Sequence, residues 1–194
     1  MKTRLRIAGT YLYGRPSGRA GFRGQKSVRL RWKETAMTRD VRIRTAVPVD
    51  AEGISSLLRE AFAEFEPLYT PGGFAATTPA ATEIARRFAE GPAWVAEVDG
   101  RIVGTVAAVA EPDGVYMRSM AVSPAARGLG AGRRLLQTVE EFAIASRAPR
   151  MYLSTTPFLA AAIRLYESSG FKRTGEPPDE LQGTPLITMA KPLV

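Results

Sequence analysis

One glycine-punctuated stretch carries most of the chemistry legible in this sequence. In SPAARGLGAG (Ser123 to Gly132) glycines stand at 128, 130 and 132. Before it lies an apolar run, VYMRSMAV (Val115 to Val122), in which Val115, Met117, Ser119 and Ala121 alternate with Tyr116, Arg118, Met120 and Val122. After it lies RRLLQTVEEFA (Arg133 to Ala143), where Leu135, Leu136, Val139 and Phe142 recur at helical spacing. Strand, glycine turn and helix together make an anion cradle. The first turn of a helix leaves backbone N–H groups without partners, and the helix dipole adds positive charge at the same end. Glycines then admit a phosphate close to the backbone. Spacing excludes two phosphate loops. A nucleoside triphosphate loop needs G-x-x-x-x-G-K-[ST], and no Gly-Lys pair occurs in the chain. A dinucleotide loop needs G-x-G-x-x-G, but Leu135 follows Gly130-x-Gly132 at the decisive position and Arg133 follows Gly128-x-Gly130.

The pattern that does fit is R-x-x-G-x-G, formed by Arg127, Gly130 and Gly132. Downstream stands AAIRLYESSGF (Ala161 to Phe171), a helical segment carrying Leu-Tyr-Glu and ending at Gly-Phe, and upstream lies an N-terminal pattern that starts with the strand at Val41 and includes WVAEVDGRIVGTVAAV, two strands around Asp99-Gly100. In this order the three motifs resemble the GCN5-related N-acetyltransferase superfamily, over roughly residues 40 to 191. The resemblance implies an α/β (α+β) fold with a mixed, strongly twisted sheet of six to seven strands and helices on both faces. It also implies that the strands ending at Val122 and Ser154 splay apart, with the pantetheine arm of acetyl-CoA in the gap. Backbone groups of Met120, Ala121 and Val122 would then line the donor, one amide polarising the thioester carbonyl. The N–H groups of Gly128, Leu129, Gly130, Ala131 and Gly132 would hold the pyrophosphate, helped by Arg127; Arg133 and Arg134 read as solvated helix residues. Tyr166 matches the tyrosine whose hydroxyl meets the CoA sulfur. Thr155 or Thr156 stands where the family often has asparagine. Many relatives carry a glutamate base on the fourth strand, and Tyr116 holds that position here, so Glu111, Glu97 and Tyr116 are the candidates for proton removal. The stretch EPLYTPGGFAATTP (66–79) falls where the family covers its acceptor, which makes Glu66, Tyr69 and Phe74 the candidate acceptor contacts.

Composition agrees with direct transfer. Cysteine and histidine are both absent, which excludes disulfides, thiolate nucleophiles, Ser-His-Asp triads and the usual zinc ligand sets. Proton transfer is left to Asp, Glu, Tyr, Lys, a terminal amine or water, and no metal is expected. The most apolar run, Ile102 to Ala110, is far short of the about 20 residues that span a bilayer. A cytoplasmic protein with no membrane partner is expected, acting on a small-molecule amine or a peptide. A homodimer is left open.

The net charge of +8 is unevenly spread. Ten of the 27 Lys and Arg fall in residues 1–36 against Glu34 alone, so this arm carries +9 and the remainder −1. Residues 1–36 are read as a basic extension of a 37–194 catalytic domain, flexible or an extended start. Three other accounts compete: a nucleic-acid arm using Tyr11, Tyr13, Phe22 and Trp32, a transit peptide, or an added strand at VRLRW (Val28 to Trp32). Nucleic acid is not the expected partner. Two functional alternatives remain, a non-catalytic acyl-CoA-binding or sensory module, and a nucleic-acid-associated protein using the basic arm.

Taken in order, Val41 to Thr45 reads as a strand, and Asp50 as the cap of a helix with apolar positions Ile54, Leu57, Leu58, Ala61, Phe62 and Phe65. Prolines and glycines break residues 66–79 into a loop. A short helix from Pro79 to Ala89 leads into the Asp99-Gly100 hairpin. After the glycine-loop helix come a strand at Met151 to Ser154, a helix near 158–168 capped by Thr155 or Thr156 with Pro157 at its first position, and strands at Phe171 to Thr174 and Pro185 to Met189.

Overall fold

The computed structural model describes residues 40–175 and 179–193, so the readings of residues 1–36 lie outside the described part. Its elements run β1 (Arg42–Thr45), α1 (Ala51–Phe62), α2 (Pro71–Thr77), α3 (Ala81–Arg87), β2 (Ala93–Val98), β3 (Arg101–Glu111), β4 (Gly114–Val122), α4 (Ala131–Ala145), β5 (Arg150–Thr155), α5 (Ala160–Ser168), β6 (Lys172–Arg173), β7 (Asp179–Leu181) and β8 (Thr184–Pro192). The sheet follows the order β1-β2-β3-β4-β5-β8-β6, with β7 paired to β8. All pairs are antiparallel except β4 with β5. The mixed sheet with helices on both faces is as expected; the eighth strand is the addition. It arises because Gln182 and Gly183 both take positive φ, +49° and +82°. That closes β7 on β8 as a two-residue hairpin, and Gln-Gly is a weaker turn signal than the Asp99-Gly100 pair of β2–β3, at +52° and +74°.

Each face is sealed by a helix stripe. On one, Leu135, Leu136, Val139 and Ala143 of α4 and Ile163 and Tyr166 of α5 bury against Val106, Val115, Met117, Met151, Leu153 and Met189. On the other, Ile54, Leu58 and Ala61 of α1 and Ile84 of α3 cover Val95 and Ala121. Among the described residues no helix is long and apolar enough to cross a membrane.

Three local expectations are corrected. Asp50 does not cap α1: its carboxylate accepts the Val47 N–H at 2.8 Å and two guanidinium bonds from Arg44 at 2.6 and 2.8 Å. A charged donor from the neighbouring strand outcompetes helix amides for those oxygens. Residues 66–79 are not all loop, because the chain continues past α1 in a 3-10 segment, Ala63–Leu68, and then forms α2. The Thr70 hydroxyl caps α2 by accepting the Gly73 N–H at 3.0 Å, and Phe65 leaves the α1 stripe. Neither Thr155 nor Thr156 caps α5, which begins two residues beyond Phe158; both threonines are buried where β5 ends.

Candidate active site

Two neighbouring strands part company here. β4 and β5 pair only at Val115 with Met151 and Tyr116 with Tyr152. Beyond that point Met117–Val122 and Leu153–Thr155 run on without pairing to each other, leaving backbone groups facing a gap. A bulge tunes the β4 side. Its register against β3 slips between Thr105 and Ala107, and Ser119 takes φ +53°. An inserted residue shifts the side-chain alternation by one. Val115 and Met117 face α4, yet after the bulge it is Met120 and Val122 that pack on that core while Ala121 joins the α1 side. The simple alternation read from the sequence therefore fails at Ser119. The backbone follows: Ser123 N–H donates to Val103 across β3 at 2.8 Å, so by strand alternation the N–H groups of Val122 and Met120 point away from β3 into the gap.

Next to the gap, Pro124–Ala126 makes one 3-10 turn and α4 starts at Ala131. Gly128 and Gly130 both sit in left-handed backbone, φ +84° and +82°, and a Cβ at either would meet nothing within 4 Å. The first bond into α4 is Arg134 N–H to Gly130 O, at 3.1 Å. Ala131, Gly132 and Arg133 therefore present N–H groups with no helical acceptor, whereas the Leu129 N–H, expected among the phosphate donors, already donates to the Ala126 carbonyl at 3.3 Å as the 3-10 turn closes. Gly132 ties this turn to the gap, since a Cβ there would lie 3.1 Å from Leu165 and 3.6 to 3.7 Å from Val122 and Met120. Arg127 is not free: it forms an ion pair with Glu64, and a second link joins the same segments where Ser123 Oγ donates to Glu60 at 2.8 Å. Arg134 bonds Asp40 and the Val41 carbonyl, while Arg133 is exposed.

Around the fork the tyrosines gather. Tyr116 and Tyr152, the last paired residues, have ring centroids 5.3 Å apart. The Tyr152 hydroxyl donates to the Glu111 carboxylate, and Tyr116 has Ser154 as hydroxyl neighbour. Burial pushes the Tyr116 and Tyr152 hydroxyls above their ordinary values, Tyr152 further raised by Glu111. Glu97 is elsewhere: it bonds Arg44 at 2.7 and 2.9 Å on β1–β2, two strands from the gap, and is withdrawn as a base. On the opposite side Tyr166 is 5% exposed, its ring 5.9 Å from Phe171, and its hydroxyl makes no hydrogen bond among the described residues. Burial raises its hydroxyl far above the ordinary value, and Tyr69 lies near enough to add to this.

Tyr69 is the buried centre of an aromatic group. Its ring meets Phe158 edge-on at 4.9 Å, Phe74 at 6.0 Å and Phe62 at 6.4 Å, and Phe65 stacks on Phe158 at 6.4 Å. Burial raises its hydroxyl, offset by Thr156 and Thr77 beside it. Of the expected acceptor residues, Tyr69 and Phe74 thus come together, while Glu66 is exposed with no partner for its carboxylate among the described residues. Phe158 and Tyr152 are not among the expected contacts, and Phe65 and Ser154 read in the sequence only as an apolar helix position and the end of a strand. Tyr152 and Ser154 carried a usable signal, because they alternate with the core residues Met151 and Leu153.

A splayed parallel strand pair beside a glycine turn that starts a helix defines an acetyltransferase class of fold. The description "Acetyltransferase (GNAT) family" matches residues 54–171, more than half of the chain, and the chain belongs to that family. It is 42% identical over 88 residues to a Danio rerio protein named N-acetylaspartate synthetase, covering 44% of this chain and 31% of that one. To a Rattus norvegicus N-acetyltransferase family 8 member 3 it is 35% identical over 89 residues, covering 43% and 39%. The chain thus spans about a third of the length of these curated relatives. Among solved structures, a GNAT acetyltransferase of Staphylococcus aureus Mu50 superposes with a TM-score of 0.67 at 19% identity, covering 80% of this chain and 100% of that one. The PaiA N-acetyltransferase of Thermoplasma acidophilum, in complex with coenzyme A, gives 0.65 at 16%, covering 79% and 99%.

Proposed function

We propose that this chain is an acetyl-CoA-dependent N-acetyltransferase that passes the acetyl group directly to an amine while donor and acceptor are bound together. The observation that carries this is the parting of β4 from β5 beside a helix start where the Ala131, Gly132 and Arg133 amides have no helical acceptor. Acetyl-CoA supplies the activated acyl group as a thioester. The N–H groups of Met120 and Val122 face the gap and suit pairing with the pantetheine amides; one of them is placed to polarise the thioester carbonyl. The N–H groups of Gly128 and of Gly130 to Gly132 suit the pyrophosphate, and Thr155 bounds the far side of the gap at the end of β5.

Tyr166, held protonated by its burial, keeps a donor for the departing CoA sulfur. Tyr116 is also protonated near neutral pH, since its hydroxyl is raised rather than lowered, so it orients rather than accepts. Of the two expected carboxylate bases Glu111 is the one left, held by the Tyr152 hydroxyl, and it takes the amine's proton by way of water. Tyr69 and Phe74 wall the acceptor.

The test is thiol release from acetyl-CoA across a panel of alkyl, aryl, amino-acid and peptide amines. Turnover with one class is expected, falling at least about a hundredfold in Tyr166→Phe if that hydroxyl acts as the acid, with acetyl-CoA binding unchanged. Acetyl-CoA binding without any turnover would favour a non-catalytic acyl-CoA-binding module, and no binding at all would refute the site.

A further inference from the structure

The 3-10 segment after α1 has an unusual surface. Ala63–Leu68 reads AEFEPL and buries none of its six residues. Leu68 is 56% exposed, and Phe65 is only half-buried although its ring stacks on Phe158. Phe62, Phe74 and Phe158 are half-buried too, so of the five-ring group only Tyr69 is sequestered. Four aromatic rings left partly open to water make an apolar surface that a single chain gains nothing by exposing.

Where this surface sits decides what would cover it. Phe158 follows Thr155 and Thr156, where β5 ends beside the gap, and Thr156 Oγ1 is buried without a well-formed hydrogen bond. Tyr69 meets Phe158 edge-on at 4.9 Å and lies within electrostatic reach of Tyr166, the residue placed at the departing sulfur. The other wall is tied to the sheet. Thr70 N–H donates to Thr184 Oγ1 at 3.0 Å and Thr70 Oγ1 donates to the Gln182 carbonyl at 2.7 Å, which fixes α2 to the β7–β8 turn. The aromatic surface is therefore continuous with the reacting centre and held in place from two sides.

We propose that Phe65, Tyr69, Phe74 and Phe158 select an acceptor amine that carries an aromatic or large apolar group a few bonds from its nitrogen. This rests on the acetyl-transfer reading above. The amine stands at the gap, and its apolar body covers the open rings in aromatic edge and stacking contacts. A small alkylamine reaches the same nitrogen position but leaves the rings wet.

Calorimetry on the full chain tests this, with 2-phenylethylamine and ethylamine as probes, each titrated into the free protein and into protein saturated with CoA. Phenylethylamine should bind at least about tenfold more tightly than ethylamine. Phe65→Ala, a change on a segment that buries nothing, and Phe158→Ala should each shrink that ratio severalfold while CoA affinity holds, which also shows that the fold is intact. Equal affinity for the two amines, or a ratio that survives both substitutions, overturns the proposal. CoA binding is read in its own arm. If it fails, the acetyl-CoA reading falls, while the amine ratio and its loss in the variants still decide whether the rings select apolar amines. Phenylacetyl-CoA is titrated in parallel: a gain over acetyl-CoA that Phe158→Ala removes, with no gain for the amine, would assign the rings to the acyl donor and likewise overturn the proposal.

Discussion

Replacing Gly130 with alanine separates the cost of holding the phosphate turn from the cost of filling space. Gly130 has φ +82° and ψ 2°, and an added Cβ meets nothing within 4 Å. The whole penalty is therefore the left-handed backbone, about 1–2 kcal/mol for an L side chain. If the turn keeps its shape, that energy is lost from folding, and at about 2–4 °C per kcal/mol for a chain of this size Tm falls by roughly 2–8 °C. If the turn relaxes in the free protein, Tm is spared and binding bears the cost, about five- to thirtyfold in the acetyl-CoA Kd. Thermal melts and calorimetric titration of the same variant should account between them for one such penalty. Gly100→Ala is the control, because Gly100 has φ +74° and equally open surroundings but belongs to the β2–β3 turn. It should lower Tm by a similar amount and leave the Kd alone. A Gly130→Ala protein unchanged in both measurements, or a Gly100→Ala protein that loses acetyl-CoA affinity equally, would refute the reasoning.

Three further outcomes follow from named contacts. Glu64→Gln releases Arg127 from an exposed ion pair, so acetyl-CoA should bind more tightly, by up to about fivefold, in a titration at low salt. Gly73→Ala places a Cβ 2.1 Å from Thr184 Oγ1 and 2.9 Å from the Leu181 carbonyl; forcing α2 off the β7–β8 turn should cost about 1–3 kcal/mol in urea unfolding. Asp50 is held below the usual carboxylate range chiefly by its bonds from Arg44. A depressed folded pKa means that the native state binds the proton less readily than the unfolded chain. Its stabilisation is thus complete above the ordinary Asp value and lost as pH falls through the folded one. Asp50→Asn should be less stable by about 1–3 kcal/mol at pH 7, and urea melts should show that deficit narrowing below about pH 4.

What the sequence disclosed and what it hid have physical causes. The turn from Arg127 to Gly132, the Asp99-Gly100 hairpin and the α4 and α5 stripes were legible because each depends on local spacing or on backbone that glycine favours. The bulge at Ser119 was not, since its cause is the slip of β4 against β3 and a serine bears no mark of positive φ. Asp50 looked like a cap because capping is local, whereas Arg44 reaches it from a strand edge. The acceptor wall was half legible. Tyr69 and Phe74 lie in one short stretch, but Phe158 meets them from more than eighty residues away, and only the folded β5–α5 connection brings it there. Arg127 matched its motif, yet no motif reveals that Glu64 holds it.

The most direct measurement is backbone amide exchange on the full chain with and without saturating acetyl-CoA. Protection should rise at Met120, Val122 and Gly130 to Arg133, amides that face the gap or start α4, while those of the β2–β3 hairpin stay unchanged. Acetyl-CoA binding with no protection at these amides, or protection centred elsewhere in the chain, would contradict a donor site between β4 and β5.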